Sequence, residues 1–78
     1  MNSHSRPVKR SLTLHGHRTS VSLEDLFWKE FRRIADVDGE TINGLAARID
    51  AARGDIGLAS AIRLYVLERA LSDQRLRA

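Results

Sequence analysis

Polar and apolar residues alternate along residues 17–23, which is the pattern of a β-strand with one buried and one solvated face. The positions on the first face are Thr19, Val21 and Leu23, and those on the second face are Arg18, Ser20 and Ser22. Because a lone strand leaves its backbone N–H and C=O groups unpaired, it requires a partner, either from its own chain or from a second copy. The pattern therefore predicts one strand of a small sheet near the N-terminus.

A second, shorter alternation covers residues 11–14, where Leu12 and Leu14 fall on one side. Gly16 follows, and glycine adopts the backbone conformations of tight turns at little steric cost. Two arrangements fit this pattern. Either residues 11–23 form a hairpin with a short loop, or residues 11–14 lie as an extended arm along a partner.

Three stretches with apolar residues at helical spacing follow the strand. They predict helices over about residues 24–37, 41–53 and 58–71. Ser22 is the predicted N-cap of the first helix, Gly39 is its predicted C-terminal cap, and Thr41 is the predicted cap of the second helix. The third helix is apolar around much of its circumference, so it needs a second packing partner, which indicates an oligomer.

The composition is that of one small domain, since the chain has 78 residues, 42% of them hydrophobic. It has no cysteine, so neither disulfides nor thiolate metal sites reinforce the core, and oligomerisation is the common remaining route to stability. No apolar run approaches the roughly 18–20 residues that span a membrane, and the N-terminal residues lack an apolar signal region. We therefore expect a cytoplasmic protein.

Basic residues are concentrated near the N-terminus, although the net charge is only +3. Residues 1–23 contain four basic residues and no acidic one, whereas residues 24–78 contain the other nine basic residues and all ten acidic residues. Residues 1–10 are expected to form a flexible basic arm, and residues 72–78 a frayed tail. Such an asymmetry favours a polyanionic partner, of which nucleic acid is the commonest.

A family resemblance rests on residues 18–25 (RTSVSLED), the helix after them, and residues 38–43 (DGETIN). This order resembles an Arc/MetJ-type ribbon-helix-helix protein. With residues 61–67 (AIRLYVL), the chain is similar to a bacterial group described as ribbon-helix-helix domain proteins. The resemblance implies a mainly α-helical fold with a short N-terminal β-ribbon, in which two chains pair their strands and intertwine their helices as a homodimer. The chain departs from the simplest members by its extra alternating run and its third helix.

The resemblance also implies a site for double-stranded DNA in two parts. The ribbon enters the major groove, where Arg18, Ser20 and Ser22 contact bases, and the start of the second helix binds a phosphate. The expected phosphate contacts are Thr41, Ile42 and Asn43 at the helix start, with Lys9 and Arg10 from the basic arm. Arginine can form two hydrogen bonds with guanine whereas serine discriminates little, so Arg18 is expected to dominate sequence recognition.

Metal sites and catalytic sites find little support in the sequence. His15 and His17 share one side of a continuous strand, but a turn at Gly16 would separate them. No cysteine or carboxylate lies near these residues or His4 in sequence to complete a metal site. No cysteine nucleophile, glycine-rich phosphate loop or paired-carboxylate motif stands out. We therefore expect no metal, no cofactor and no enzyme activity.

The leading hypothesis is a sequence-specific DNA-binding protein that regulates transcription as a homodimer or a higher oligomer. One alternative is an antitoxin-like regulator whose third helix also binds a partner protein. Another is a protein-interaction module that does not bind DNA and docks through the third helix. A salt-dependent shift of genomic DNA fragments would separate this last alternative from the first two hypotheses.

Overall fold

The computed structural model describes the backbone of residues 6–77 and the side-chain burial of residues 6–75. Two strands are followed by three helices: β1 Pro7–Leu14, β2 His17–Glu24, α1 Asp25–Val37, α2 Ile42–Ala52 and α3 Leu58–Arg77. This order confirms the predicted N-terminal ribbon followed by three helices.

The two strands form an antiparallel hairpin, so the hairpin alternative for residues 11–23 is confirmed. Their register runs from the pair Pro7–Glu24 to the pair Leu14–His17. The loop consists of His15 and Gly16, which have φ angles of 52° and 80°. Two successive positive φ angles are typical of a type I′ turn, whose twist matches that of the flanking strands. The partner of β2 in this structure is therefore a strand of its own chain.

The N-terminal segment is more ordered than its composition predicted. β1 begins at Pro7, so residues 7–10 belong to the ribbon and not to the flexible arm expected over residues 1–10. These residues pair with residues 21–24 of β2, and the pairing satisfies backbone groups that a free arm would leave to water. Pro7 is the first residue of its strand, a position where the missing N–H is tolerated. Residues 1–5 of the expected arm lie outside the described residues.

The first helix begins within one residue of its predicted start, but its predicted N-cap is wrong. β2 continues through Ser22 to Glu24, so Ser22 is a strand residue and not the N-cap of α1. Glu24 takes the N-cap position, and its side chain makes no capping hydrogen bond. Gly39 ends α1 with a φ of 72°, and its N–H donates to the carbonyl of Asp36 at 3.1 Å, which confirms it as the C-terminal cap.

The third helix is longer than predicted, since it reaches Arg77 and includes most of the tail expected to fray over residues 72–78. No glycine or proline interrupts this tail. Asp73 lies 3.6 Å from Arg69 within α3 and 3.8 Å from Arg33 of α1, and the second of these ion pairs links the additional turn to α1.

The core lies between the ribbon and the helices. Apolar residues of the inner ribbon face pack on all three helices, with α2 against β1 and α3 against β2. The largest fully buried side chains are Leu23, Phe31, Ile34, Leu45 and Ile62. Every element thus contributes to one apolar cluster within a single chain.

The outer side of α3 carries leucines that stay about half exposed in the described part of the chain. Leu64, Leu67 and Leu71 are 52%, 50% and 42% exposed, and Leu26 of α1 is 70% exposed beside them. Leu26 and Leu67 line an apolar groove of about 270 Å³ between α1 and α3. None of the helices in the described residues has the length and apolar character that crossing a membrane requires.

Replacing Gly16 with alanine should destabilise the hairpin, because the added Cβ disfavours a φ of 80°. We expect a loss of roughly 1 kcal/mol in the free energy of unfolding, measured by denaturant titration. His15→Asn is the matched variant of opposite sign, because Asn-Gly is the preferred sequence of a type I′ turn. Equal stability of the two variants would contradict this turn assignment.

Candidate nucleic-acid interface

One face of the ribbon is polar along its whole length. The outward residues of β2 are Arg18, Ser20 and Ser22, and the register places Thr13, Ser11 and Lys9 of β1 opposite them in that order. All six side chains are exposed. The residues between them point to the core, where Leu12, Val21 and Leu23 are at most 5% exposed. The structure therefore brings the three predicted base-contacting residues together on one solvent-facing surface, which we call the outward face.

The start of α2 contains the predicted phosphate-binding residues. The hydroxyl oxygen of Thr41 accepts a hydrogen bond from the N–H of Gly44 at 2.9 Å, which confirms Thr41 as a helix cap. The N–H groups of the first helical turn have no carbonyl partner inside the helix. The Thr41 hydroxyl accepts from the N–H of Gly44. The N–H groups of Ile42 and Asn43, which precede Gly44, can therefore donate to an acceptor that lies at the N-terminal end of the helix.

Asn43 connects this helix start to the ribbon. Its side-chain oxygen accepts a hydrogen bond from the backbone N–H of Thr13 at 3.0 Å. Thr13 belongs to the outward face, and its N–H points away from β2 along the free edge of β1. The two predicted halves of the site are thus joined by one direct contact.

Arg10 does not lie with the other predicted contact residues. It faces the helices, and its guanidinium carbon lies 5.5 Å from the ring centre of Trp28. One guanidinium nitrogen lies 3.4 Å from a carboxylate oxygen of Asp25, and only 18% of the side chain is exposed. Among the described residues, none accepts a hydrogen bond from the buried Nε of Arg10. Arg10 therefore joins the ribbon to α1, whereas its neighbour Lys9 points outward.

The described residues contain no group of three histidine, cysteine, aspartate or glutamate side chains close enough to hold a metal ion. His15 and His17 are exposed at the tip of the hairpin, one in the turn and one at the start of β2. His4 lies outside the described part of the chain.

A comparison with protein-family models bears on this arrangement of a polar ribbon beside a capped helix start. The model of the ribbon-helix-helix domain matches residues 7–70. The chain belongs to the ribbon-helix-helix domain family. Members of this family are generally DNA-binding transcription regulators or antitoxins, and they generally bind DNA as dimers. No curated protein and no solved structure matches the chain significantly.

The outward face of this ribbon-helix-helix domain includes residues of β1 that the sequence does not predict as base contacts. Ser11 and Thr13 are absent from the predicted site, whereas Lys9 is predicted as a phosphate contact on a flexible arm and not as a ribbon residue. The alternation of residues 11–14 carried the signal, because placing Leu12 and Leu14 inside puts Ser11 and Thr13 outside. The missing information was the strand's start at Pro7, which extends the same alternation to Lys9.

The free edge of β2 is held by α3. Arg63 donates hydrogen bonds to the carboxylate of Glu24 at 2.9 Å and to the backbone carbonyl of Ser22 at 3.1 Å. The hydrogen bond from Arg63, followed by a backbone hydrogen bond, lowers the pKa of Glu24 below its ordinary value of 4.5. A hydrogen bond from Arg69 likewise lowers the pKa of Asp38.

Replacing Asn43 with alanine should loosen the contact between the ribbon and α2, because the N–H of Thr13 loses its acceptor. We expect a loss of about 1 kcal/mol in the free energy of unfolding and faster hydrogen exchange at the Thr13 amide. Asn43→Asp is the control, since it keeps an oxygen acceptor at the same position. Exchange at Thr13 that is unchanged in the alanine variant would show that this bond does not hold the edge.

The stability of the domain should decrease in acid. A carboxyl group whose pKa is lowered by folding binds a proton more readily in the unfolded chain than in the folded one. Its stabilising effect is therefore complete above pH 4.5 and is lost as the pH falls through the pKa of the folded state. We expect the midpoint of thermal unfolding to drop between about pH 5 and pH 3. Glu24→Gln should reduce the size of that drop, and an identical pH profile in the variant would contradict the role of the Glu24–Arg63 pair.

Proposed function

We propose that this ribbon-helix-helix domain is a sequence-specific DNA-binding protein that regulates transcription in the bacterial cytoplasm. It inserts the β1–β2 ribbon into the major groove and acts as a homodimer. The observation that carries the proposal is the outward face, where six exposed side chains include Lys9 and Arg18 and no acidic residue. A two-stranded ribbon fits the width of the major groove, so these side chains would meet base edges there.

Arg18 is the principal base-reading residue in this proposal. Its guanidinium group can donate two hydrogen bonds to the O6 and N7 atoms of guanine, whereas hydroxyl groups bond to several bases. Ser20 and Ser22 line the same strand and bring the backbone close to the bases, because their side chains are small. Sequence-dependent DNA shape then contributes to recognition where serines discriminate little.

The start of α2 is the proposed phosphate site. The N–H groups of Ile42 and Asn43 and the positive end of the helix dipole attract an anion there, while Thr41 caps the turn. The bond between Asn43 and Thr13 sets the helix start beside the ribbon, so one phosphate contact would position the outward face in the groove. The positive charges of Lys9 and Arg18 add long-range attraction to DNA, and this attraction weakens with salt.

The apolar outer side of α3 supports the proposed homodimer. Leu64, Leu67 and Leu71 form a stripe on the side of the helix away from the core, and the groove beside Leu26 continues it. A second copy that covers this surface would bury the exposed leucines and place two ribbons on one DNA duplex.

An antitoxin-like regulator is the second candidate, because the same groove and leucine stripe could bind a partner protein instead of a second copy. One feature distinguishes the two. Segments that fold only on a partner lack contacts of their own. α3 is anchored in the single chain by the ion pairs Arg63–Glu24 and Arg69–Asp38, which favours the homodimer. Sedimentation of the purified chain at several concentrations tests this choice.

Replacing Arg18 with alanine should remove most sequence preference. A bidentate contact with guanine is worth roughly 1–3 kcal/mol, so the ratio of specific to random duplex affinity should fall about 5- to 150-fold in titrations at fixed salt. Arg75→Ala is the matched control, because it removes the same charge from an exposed residue near the end of α3. Arg75 lies about 18 Å along the helix from Arg63, the α3 residue that contacts the ribbon. An unchanged affinity ratio in Arg18→Ala would contradict the assignment.

A further inference from the structure

The two strands of the ribbon carry the same short pattern. Residues 9–14 read KRSLTL and residues 18–23 read RTSVSL, nine positions apart. Each run has a basic residue, one variable position, a serine, an aliphatic residue, a hydroxyl residue and a leucine. Alternation alone would require only polar and apolar residues, whereas here the basic residue, the serine and the final leucine recur at matching positions.

The register turns this repeat into an approximate twofold symmetry. Ser11 lies opposite Ser20, so an axis through that pair exchanges the two strands and relates Lys9 to Arg18 and Thr13 to Ser22. Burial follows the same relation on the inner face. Leu12 and Val21 are 2% and 5% exposed, and Leu14 and Leu23 are 8% and 0% exposed.

The symmetry is broken at one inner position and kept on the whole outward face. Arg10 corresponds to Thr19, and Arg10 packs over Trp28 of α1 whereas Thr19 is exposed. α1 thus distinguishes the two strands on the side that faces the core. On the other side, the six outward side chains keep the order of a basic residue, a serine and a hydroxyl residue on both strands.

We propose that β1 is a second base-reading strand and that Lys9 reads guanine as the counterpart of Arg18. This inference rests on the proposed function and adds to it the arrangement of bases in the DNA sequence that one ribbon recognises. Lys9 and Arg18 stand at opposite ends of the ribbon, four residue pairs apart, which is about 14 Å along a strand. At 3.4 Å per base pair this distance corresponds to about four base-pair steps.

A twofold ribbon presents its two ends to opposite DNA strands. The element for one ribbon is therefore a short inverted repeat, with a guanine on each DNA strand about four base pairs apart. A single chain carries both guanine-reading residues, because β1 and β2 pair within it. Lys9 is a specificity-determining residue in this arrangement and not a phosphate contact.

Selection of bound duplexes from a random-sequence library, with the intact chain, tests this inference. The unsubstituted chain should enrich the inverted repeat. Lys9→Ala should lose the guanine at one end, keep it at the other, and bind the enriched duplex about tenfold more weakly. Lys9→Arg should keep both guanines, since arginine forms the same contacts, and Arg75→Ala should leave the motif unchanged. A circular dichroism melt confirms folding of each variant.

Two results would overturn the inference, and they differ in what else they affect. If Lys9→Ala weakens all duplexes equally and flattens the dependence of log K on log salt by about 0.9, Lys9 contacts a phosphate and the proposed function stands. If the unsubstituted chain enriches no sequence at all, the proposed sequence-specific function fails and this inference fails with it.

Discussion

The register of the hairpin is the constraint on which the rest of this structure depends. Side chains alternate strictly along a strand, so a slip of one residue would turn Leu12, Val21 and Leu23 to water and their polar neighbours into the core. The two-residue turn at His15 and Gly16 permits one pairing, and burial of those apolar residues favours the same pairing. Because side chains alternate, burying these apolar residues also directs the polar residues between them to the outward face.

Backbone groups on both free edges of the ribbon are hydrogen-bonded to side chains of the helices. Asn43 accepts from the N–H of Thr13 on the edge of β1, and Arg63 donates to the carbonyl of Ser22 on the edge of β2. Exposed strand edges invite pairing with other chains, and these contacts occupy part of each edge. The bond to Asn43 also fixes the position of the ribbon relative to the start of α2, so the packing of the core determines how the two parts of the proposed DNA site are arranged.

The sequence predicted the elements, which depend on the periodicity of apolar residues. It did not predict the features that depend on a contact with a residue elsewhere in the fold. Alternation and helical spacing predicted the hairpin and three helices, and Gly39 and Thr41 were recognised as caps. Composition could not show that residues 7–10 would be ordered, because their order comes from pairing with β2. Charge alone could not separate Lys9 from Arg10, since Trp28 and Asp25 draw only Arg10 inward. The symmetry of the outward face becomes visible only when the register aligns the two runs.

The discrimination between DNA sequences that one ribbon can provide bears on the proposed homodimer. In the proposed DNA complex, one ribbon would offer two guanine contacts, Lys9 and Arg18, worth together about 2–6 kcal/mol of discrimination. Specific DNA-binding proteins typically distinguish their sites from other DNA by about 4–10 kcal/mol. A single ribbon reaches only the lower part of that range, because the serines between its ends discriminate little. Two ribbons double the contacts to about 4–12 kcal/mol, which covers the range. The proposed regulation would therefore gain selectivity from the base-reading residues of a second copy, even though one chain completes its own ribbon and core.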